Sequence, residues 1–345
     1  MAPVSPVVAA EENTPAGDSL AAIIKIPDPF VRMSALEKHY QRQRRAPGEA
    51  GVDRNLLLHL TDTAFQVRNF PLVLRYGEEG LRRDWNNPRL KMALYFSVAR
   101  ACEELDLNIG KALRYAGYIH RLAQVVDPAA TDPLIWKRYV APALRLSMRL
   151  KVKTAGDKQA WRSALDNGIA ALAVDATEEA GRELYETARR ARASESGGEA
   201  ALEALEALCR SSLARVEYIN RLAFWYSRDG LQDKAADWMI KSYNEKPDPA
   251  VAYTIGKLLQ SRDLPKAMQY LAESVHAGKG EAATRSRRLL EHLFFNVHAG
   301  EMDPGEKEAA FDRLMREAAE RLRSRVKKKI PESPGDSSES GRIKT

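Results

Sequence analysis

The stretch that decides the fold, residues 216–247, reads VEYINRLAFWYSRDGLQDKAADWMIKSYNEKP. Large apolar residues recur in it at helical spacing, in two runs that Gly230 separates and Pro247 ends. Ala223 lies in the first run and Ala235 in the second, and small side chains let two helix backbones approach closely. The stretch therefore predicts two antiparallel helices packed as a hairpin.

The same stretch resembles one tetratricopeptide repeat, whose pattern is a bulky residue, Leu-Gly and Tyr on the first helix, then Ala, Phe and a terminal Pro on the second. The matching positions are Ile219, Leu222-Ala223, Tyr226, Gly230, Ala235, Met239 and Pro247. The next unit follows after 33 residues, with a shorter turn and no terminal proline, and matches at Ala252, Ile255-Gly256, Leu259, Ala267 and Leu271. A weaker N-terminal unit matches at Leu57, Leu60-Thr61, Ala64, Val73 and Gly77. Residues 89–125 are a further candidate, and residues 130–210 match poorly.

Outside these units the chain also reads as a series of medium helices. Helix starts are predicted where a capping side chain precedes a proline at the first helical position, as at Asp28-Pro29, Asn87-Pro88 and Asp132-Pro133. Asp175 followed by Glu178 resembles a capping box. Pro142 predicts a kink or a break, because proline lacks the backbone N–H and clashes with the preceding turn. No segment alternates like a strand, and about fourteen helices with short links favour stacked antiparallel hairpins over one closed bundle.

The resemblance implies an all-α fold, a right-handed superhelix of stacked antiparallel helical hairpins. We divide the chain into a disordered leader at 1–26, an N-terminal helical-repeat half at 27–193, a linker at 194–198, a C-terminal half at 199–329 and a disordered tail at 330–345. The leader lacks the basic start and long apolar run of an export signal.

Binding of a partner protein, as a peptide or a helix, in a concave groove is what the resemblance implies about function. By register with the family, the first helices of the two best units would present the groove residues Glu217, Asn220, Phe224, Arg228, Tyr253, Lys257 and Gln260. Polar side chains there could bond a peptide backbone, and aromatic ones could anchor an apolar side chain. The alternative for each is that it packs against a neighbouring helix or faces water.

Charge and composition limit the other classes of function. The 345 residues carry a formal net charge of +7. Residues 313–345 hold ten Lys/Arg and five Asp/Glu, which leaves only +2 for the rest of the chain. On these counts the body lacks the basic face of a nucleic-acid-binding domain. The apolar runs are too short to span a bilayer, so we predict no membrane insertion.

No combination of residues predicts catalysis, a metal site or a cofactor. The six histidines form no helical i, i+4 pair, and the glycines around Lys279 lack the spacing of a phosphate loop. Cys102 and Cys209 both lie in apolar helical patterns, so we expect two buried thiols in a reducing compartment, the cytoplasm.

Two alternatives to a non-enzymatic scaffold remain open. Basic helix ends could contact nucleic acid or an acidic partner; these are Lys38, Arg42, Arg44 and Arg45 early in the chain and residues 321–329 near its end. A less favoured alternative is an enzyme with an all-α superhelical core, whose catalytic residues would be distant in sequence.

Overall fold

The computed structural model describes residues 19–45, 52–83, 85–278, 280–299 and 302–327. These residues form helices joined by short connections, and the described part of the chain contains no strand. The chain therefore has the predicted all-α, helical-repeat fold. None of the helices in this part is long and apolar enough to cross a membrane.

In chain order the α-helices are Leu20–Ile23 (α1), Pro29–Arg45 (α2), Arg54–Gln66 (α3), Phe70–Leu81 (α4), Pro88–Glu104 (α5), Ile109–Val126 (α6), Pro133–Ile135 (α7), Ala141–Lys153 (α8), Lys158–Val174 (α9), Glu178–Ala193 (α10), Gly198–Arg210 (α11), Val216–Arg228 (α12), Gln232–Glu245 (α13), Pro249–Leu259 (α14), Leu264–Ala277 (α15), Glu281–Glu291 (α16) and Pro304–Lys327 (α17). Two π-helical segments, Trp136–Val140 and His292–His298, continue directly from α7 and α16. The chain divides into two compact units, Met1–Ala204 and Leu205–Thr345, which we call the N-terminal and C-terminal units.

In the N-terminal unit, consecutive helices pair as hairpins, α3 with α4, α5 with α6 and α8 with α9. The first helices α3 and α5 also pack directly on each other. The second helices have their own contacts: Tyr40 of α2 meets Tyr76 of α4 in a T-shaped ring contact, and Lys111 of α6 pairs with Glu78 of α4. First and second helices therefore form two separate layers here.

In the C-terminal unit, α12 pairs with α13 and α14 with α15, and α13 packs on α14. The last long helix, α17, packs on α15 through a buried carboxylate. Glu273 of α15 is 2% exposed, and its two oxygens accept hydrogen bonds from Arg321 (3.2 Å) and Arg325 (3.0 Å) of α17. A buried carboxylate needs such partners, so this contact fixes where α17 lies.

The predicted core of the hairpin α12–α13 is confirmed. Leu222, Ala223 and Ala235 are fully buried, and Tyr226 is nearly so. Gly230 ends the first helix with a φ of 77°, a left-handed conformation that glycine adopts without steric cost. The hairpin therefore forms at the residues that suggested it.

The next hairpin, α14–α15, brings its helices close enough to exclude a side chain. A Cβ atom on Gly256 of α14 would lie 2.5 Å from Cγ of Leu271 and 3.2 Å from the carbonyl oxygen of Ala267, both on α15. A Cβ on Gly77 of α4 would lie 2.4 Å from Cγ2 of Val98 on α5. Glycine is therefore required at both helix crossings for the observed packing.

Helix starts follow the predicted capping signals with one difference. The side chains of Asn87, Asp132 and Asp248 each accept a hydrogen bond from a backbone N–H in the first turn of their helices. The capping residue of α10 is Thr177, not the predicted Asp175. Asp175 instead ends α9, because its N–H donates to the carbonyl of Ala171, so α10 begins two residues later.

Pro142 produces a local change of helix type, and the chain does not break there. The π-helical segment Trp136–Val140 leads without interruption into α8, and Pro142 lies in the first turn of α8. A wider π turn accommodates a residue that has no N–H and whose ring would clash with the carbonyl four residues earlier.

Part of the predicted leader and the whole predicted linker lie within the described residues. Residues 19–26, assigned to a disordered leader, include the short helix α1, and Ile23 in it is 4% exposed. In the linker at 194–198, the hydroxyl of Ser194 accepts from the N–H of Gly197. The two compact units divide after Ala204, inside α11, so a division at 194–198 stays a prediction. Residues 1–18 of the leader and the tail at 330–345 lie outside the described residues.

The close approach at Gly77 gives a stability prediction. We expect Gly77→Ala to reduce the free energy of unfolding by about 1–3 kcal/mol, because the new methyl group would press on the stiff Val98 side chain. Gly117→Ala is the matched control, since this glycine is also helical and in the same unit, but its Cβ would meet nothing within 4 Å. Helix propensity alone predicts that Gly117→Ala stabilises by about 0.5–1 kcal/mol. Urea unfolding measures both, and equal effects would contradict the close packing at Gly77.

Candidate functional site

The residues predicted on α12 occupy one side of the helix. Glu217, Phe224 and Arg228 are all exposed. Asn220 lies between them and is half-buried, because its side-chain oxygen accepts a hydrogen bond of 2.7 Å from the hydroxyl of Ser242 on α13. Asn220 is thus held in a fixed orientation by the second helix of its own hairpin.

Phe224 is the large apolar side chain of this group. It is 55% exposed, whereas its sequence neighbours Ala223 and Trp225 are buried. An exposed phenylalanine between buried residues contributes little to the core and leaves apolar area in water. Its exposure is therefore not explained by the packing of the hairpin.

The residues predicted on α14 are placed differently. Tyr253 is partly buried and packs against the apolar cluster that contains Leu271 and Phe294. Lys257, one turn later, is exposed, and its ammonium nitrogen lies 6.0 Å from the centre of the Tyr253 ring. Gln260 is exposed. Tyr253 accordingly contributes to packing and is only partly accessible to solvent, whereas the side chain of Lys257 is exposed.

The two predicted groups belong to hairpins that α13 connects. α13 packs on both α12 and α14, and Ser242 of α13 holds Asn220. Within the described residues, no hydrogen bond or ion pair joins the α12 group to the α14 group. The exposed members of the two groups, Glu217, Phe224, Arg228 and Lys257, are together called the first-helix face.

The N-terminal unit contains a second cluster on first helices, which the sequence reasoning missed. A depression of about 410 Å³ lies among α5, α8 and α10. Its lining residues are Phe96, Arg100, Pro142, Arg145, Arg149, Glu179 and Glu183. They belong to three different helices, so the depression exists only when the hairpins are stacked.

Arginine–carboxylate pairs connect the three helices at this depression. Arg149 of α8 donates to both oxygens of Glu103 on α5, at 2.7 and 3.1 Å. Arg149 and Arg145 also both donate to Glu183 of α10, with N–O distances of 3.2 and 2.8 Å. Bidentate pairs of this kind fix the geometry of both partners. We call Glu103, Arg145, Arg149 and Glu183 the charged cluster.

The pKa of Glu103 reflects this pairing. Burial of the carboxyl acts to raise its pKa, but the hydrogen bonds and charge of Arg149, together with Arg100, act more strongly and lower it below its usual value. Glu103 therefore remains charged at neutral pH, and its charged form stabilises the folded state.

A sequence signal for the charged cluster exists but is weak. Pro142, Arg145 and Arg149 follow each other at spacings of three and four, which places them on one side of α8. Glu183 is 34 residues from Arg149, in the region 130–210 where the repeat pattern matches poorly, and Glu103 is 46 residues from Arg149 in the opposite direction along the chain. Without the register of the hairpins, the arginines could not be assigned to their partners.

In the described part of the chain, no three His, Cys, Asp or Glu side chains come together as they would around a metal ion. Cys102 and Cys209 are free and buried, as predicted, and burial raises the pKa of the Cys209 thiol to about 12. These thiols therefore stay protonated and act as packing groups.

Comparison with known proteins gave similarities to solved structures. No protein-family model and no curated protein matches the chain. Among solved structures, it is similar to a tetratricopeptide repeat protein from Parabacteroides merdae ATCC 43184, with a TM-score of 0.36 and 14% sequence identity. The match covers 80% of this chain and 96% of that one.

The charged cluster gives a pH-dependent prediction. At pH 7 we expect Glu103→Gln to reduce the free energy of unfolding by about 1–3 kcal/mol, because Arg149 loses a charged, bidentate partner. Since the pKa of Glu103 is lowered by folding, this stabilisation is complete above the unfolded-state pKa of about 4.3 and is lost as the pH falls through the lower folded-state value. The difference between the wild type and the variant should therefore shrink as the pH falls below about 4.3 and vanish once Glu103 is protonated in the folded protein.

Glu104→Gln is the control for that experiment. Glu104 is the next residue on α5, is more exposed, and pairs with Arg100 of its own helix. Such a pair contributes at most about 0.5 kcal/mol. Urea unfolding between pH 7 and pH 3 measures all three proteins, and equal losses for the two variants would show that Arg149 does not depend on Glu103.

Proposed function

We propose that this chain is a non-enzymatic, tetratricopeptide-like scaffold or adaptor that binds a partner protein along the first-helix face. The observation that carries the proposal is the exposure of Phe224 on a helix whose other aromatic residues, Tyr218, Trp225 and Tyr226, are buried. Aromatic residues that bind a partner are typically found in such positions, where a few side chains supply most of the binding free energy.

The surroundings of Phe224 support a peptide or a helix as the bound element. Glu217 and Arg228 lie on the same side of α12, on either side of Phe224 along the helix, and can form the polar border of an interface. Asn220 is already oriented by Ser242, so it would lose little side-chain entropy on binding. Lys257 on α14 adds a cation that could pair with a carboxylate of the partner.

We also propose that the protein acts in the cytoplasm. The two buried, free thiols support a reducing compartment, where such cysteines stay reduced.

The proposal is tested by replacing Phe224 with a photo-crosslinking phenylalanine analogue in the full chain. On irradiation in a native lysate, we expect a discrete crosslinked band that carries a partner protein. The control carries the analogue at Leu231, which is 43% exposed but lies in the turn before α13, outside the first-helix face. The same bands from both positions would contradict the proposal.

The partner identified in this way allows a quantitative prediction. We expect Phe224→Ala to weaken binding by at least about tenfold, since losing a buried aromatic contact costs about 2 kcal/mol or more. The free energy of unfolding should change by less than about 0.5 kcal/mol, because the side chain is outside the core. Titration calorimetry and urea unfolding measure the two effects, and unchanged affinity would exclude Phe224 from the interface.

A further inference from the structure

The second helices of the N-terminal unit concentrate the positive charge of the chain. Residues 29–45, 70–83 and 109–126, which contain α2, α4 and α6, hold eleven Lys/Arg and three Glu, a net charge of +8. The whole chain carries +7, so everything else sums to −1. The first helices between them, α3 and α5, carry a net +1. Counting along the sequence assigned the net positive charge mainly to the tail, whereas in the folded chain it is concentrated on the layer of second helices.

Specific contacts hold these second helices together. The hydroxyl of Tyr40 on α2 donates to Glu79 on α4 at 2.8 Å, and the hydroxyl of Tyr76 on α4 donates to Glu37 on α2 at 2.9 Å. The guanidinium of Arg75 lies over both rings, 5.9 Å from the centre of Tyr40 and 5.3 Å from that of Tyr76. The helices α2 and α4, which carry these arginines, are therefore fixed relative to each other.

The same contacts engage all three carboxylates of these segments. Glu37 and Glu79 each accept a tyrosine hydroxyl, and Glu78 pairs with Lys111 of α6. The three segments hold eleven Lys/Arg against these three carboxylates. The surface is left with a large excess of positive charge.

Two depressions lie on this layer, and both are lined by polar and charged side chains alone. One, of about 420 Å³, is formed by Arg44 of α2 with Glu79, Arg82 and Arg83. The other, of about 510 Å³, lies along α2 and is lined by Ser34, Glu37, Lys38, Gln41, Arg42 and Arg45. We call the surface formed by Lys38, Arg42, Arg44, Arg45, Arg82 and Arg83 the basic second-helix surface.

We propose that the basic second-helix surface binds the phosphate backbone of a nucleic-acid duplex, without reading its sequence. Nine of the eleven cations in the three segments are arginines. Their planar guanidinium groups match phosphate oxygens in a bidentate geometry. Backbone contacts of this type supply sequence-independent affinity and require no apolar pocket.

The character of the surface favours a duplex over other anionic partners. A peptide interface needs an apolar core, and neither depression contains an apolar side chain. The exposed aromatic rings described on α2, α4 and α6 are Phe30 and Tyr118. Phe30 lies fourteen residues before Arg44, about 21 Å along the helix, and Arg121 covers the Tyr118 ring at 4.6 Å. The stacking rings of a single-strand site and the apolar anchor of a lipid site are thus missing from the described basic surface.

The test is fluorescence anisotropy of the full chain with a labelled DNA duplex of mixed sequence, at several salt concentrations. The site variant combines Arg44→Ala, Arg82→Ala and Arg83→Ala. The control variant combines Arg182→Ala, Arg189→Ala and Arg190→Ala on α10, which removes the same charge from exposed positions of the same unit. Circular dichroism melting checks that both variants fold as the wild type does.

We expect the site variant to bind the duplex at least about tenfold more weakly and to lower the slope of log affinity against log salt by about 2–3, one phosphate contact for each arginine. The control should stay within about twofold of wild type.

Equal weakening of both variants would show that net charge alone acts, and would overturn the proposal. So would absence of binding at low salt, or tighter binding to polyglutamate, to a single strand or to anionic lipid vesicles. These outcomes leave the first-helix face untouched, because it lies in the other unit.

Discussion

The rest of the structure depends on the close approach of the two helices within each hairpin and between neighbouring hairpins. At Gly256 and Gly77 the helices lie so near that a single methyl group would overlap with Leu271 or Val98. Ala223 and Ala235, both fully buried, have the same function in the hairpin α12–α13. Because small residues occur at these crossings, large side chains such as that of Leu222 can interdigitate around them. The short helices therefore form a closely packed core.

Close packing of hairpins separates the surface into layers with different chemistry. In the N-terminal unit, first helices are linked to each other by the charged cluster, where Arg149 binds Glu103 and Glu183. Second helices are linked by tyrosine hydroxyls that donate to Glu37 and Glu79, and Arg44 and Arg82 on this layer are exposed. In the C-terminal unit, the first helix α12 leaves Phe224 exposed instead. One fold thus presents an exposed phenylalanine in one unit and a basic surface in the other.

The parts of this structure that sequence predicted are those that local chemistry determines. An Asn or Asp followed by proline starts a helix because its side chain bonds the first N–H groups, as Asn87 and Asp248 do. The turn at Gly230 and the buried positions of α12–α13 follow from the repeat pattern. Local signals did not give the correct capping residue where one helix ends close to the start of the next. Asp175 is the last residue bonded to α9, so Thr177 caps α10.

The parts that sequence did not predict depend on contacts between distant residues. Glu103 and Arg149 are 46 residues apart, and only the stacking of α5 on α8 brings them together. The basic second-helix surface could not be predicted for the same reason, since a count of charges along the chain does not separate first helices from second helices. Of the predicted site, which stays a prediction, Glu217, Phe224, Arg228 and Lys257 are exposed, whereas Asn220 and Tyr253 also bond or pack within the fold.

A double-mutant cycle at Gly256 and Leu271 tests the central claim of close helix approach most directly. Gly256→Ala in the wild type should reduce the free energy of unfolding by about 1–3 kcal/mol, because the new methyl group meets Leu271. In a Leu271→Ala background, where that side chain is gone, the same substitution should cost at least about 1 kcal/mol less. Costs that add within about 0.5 kcal/mol would show that the two residues do not limit each other, and would contradict the account.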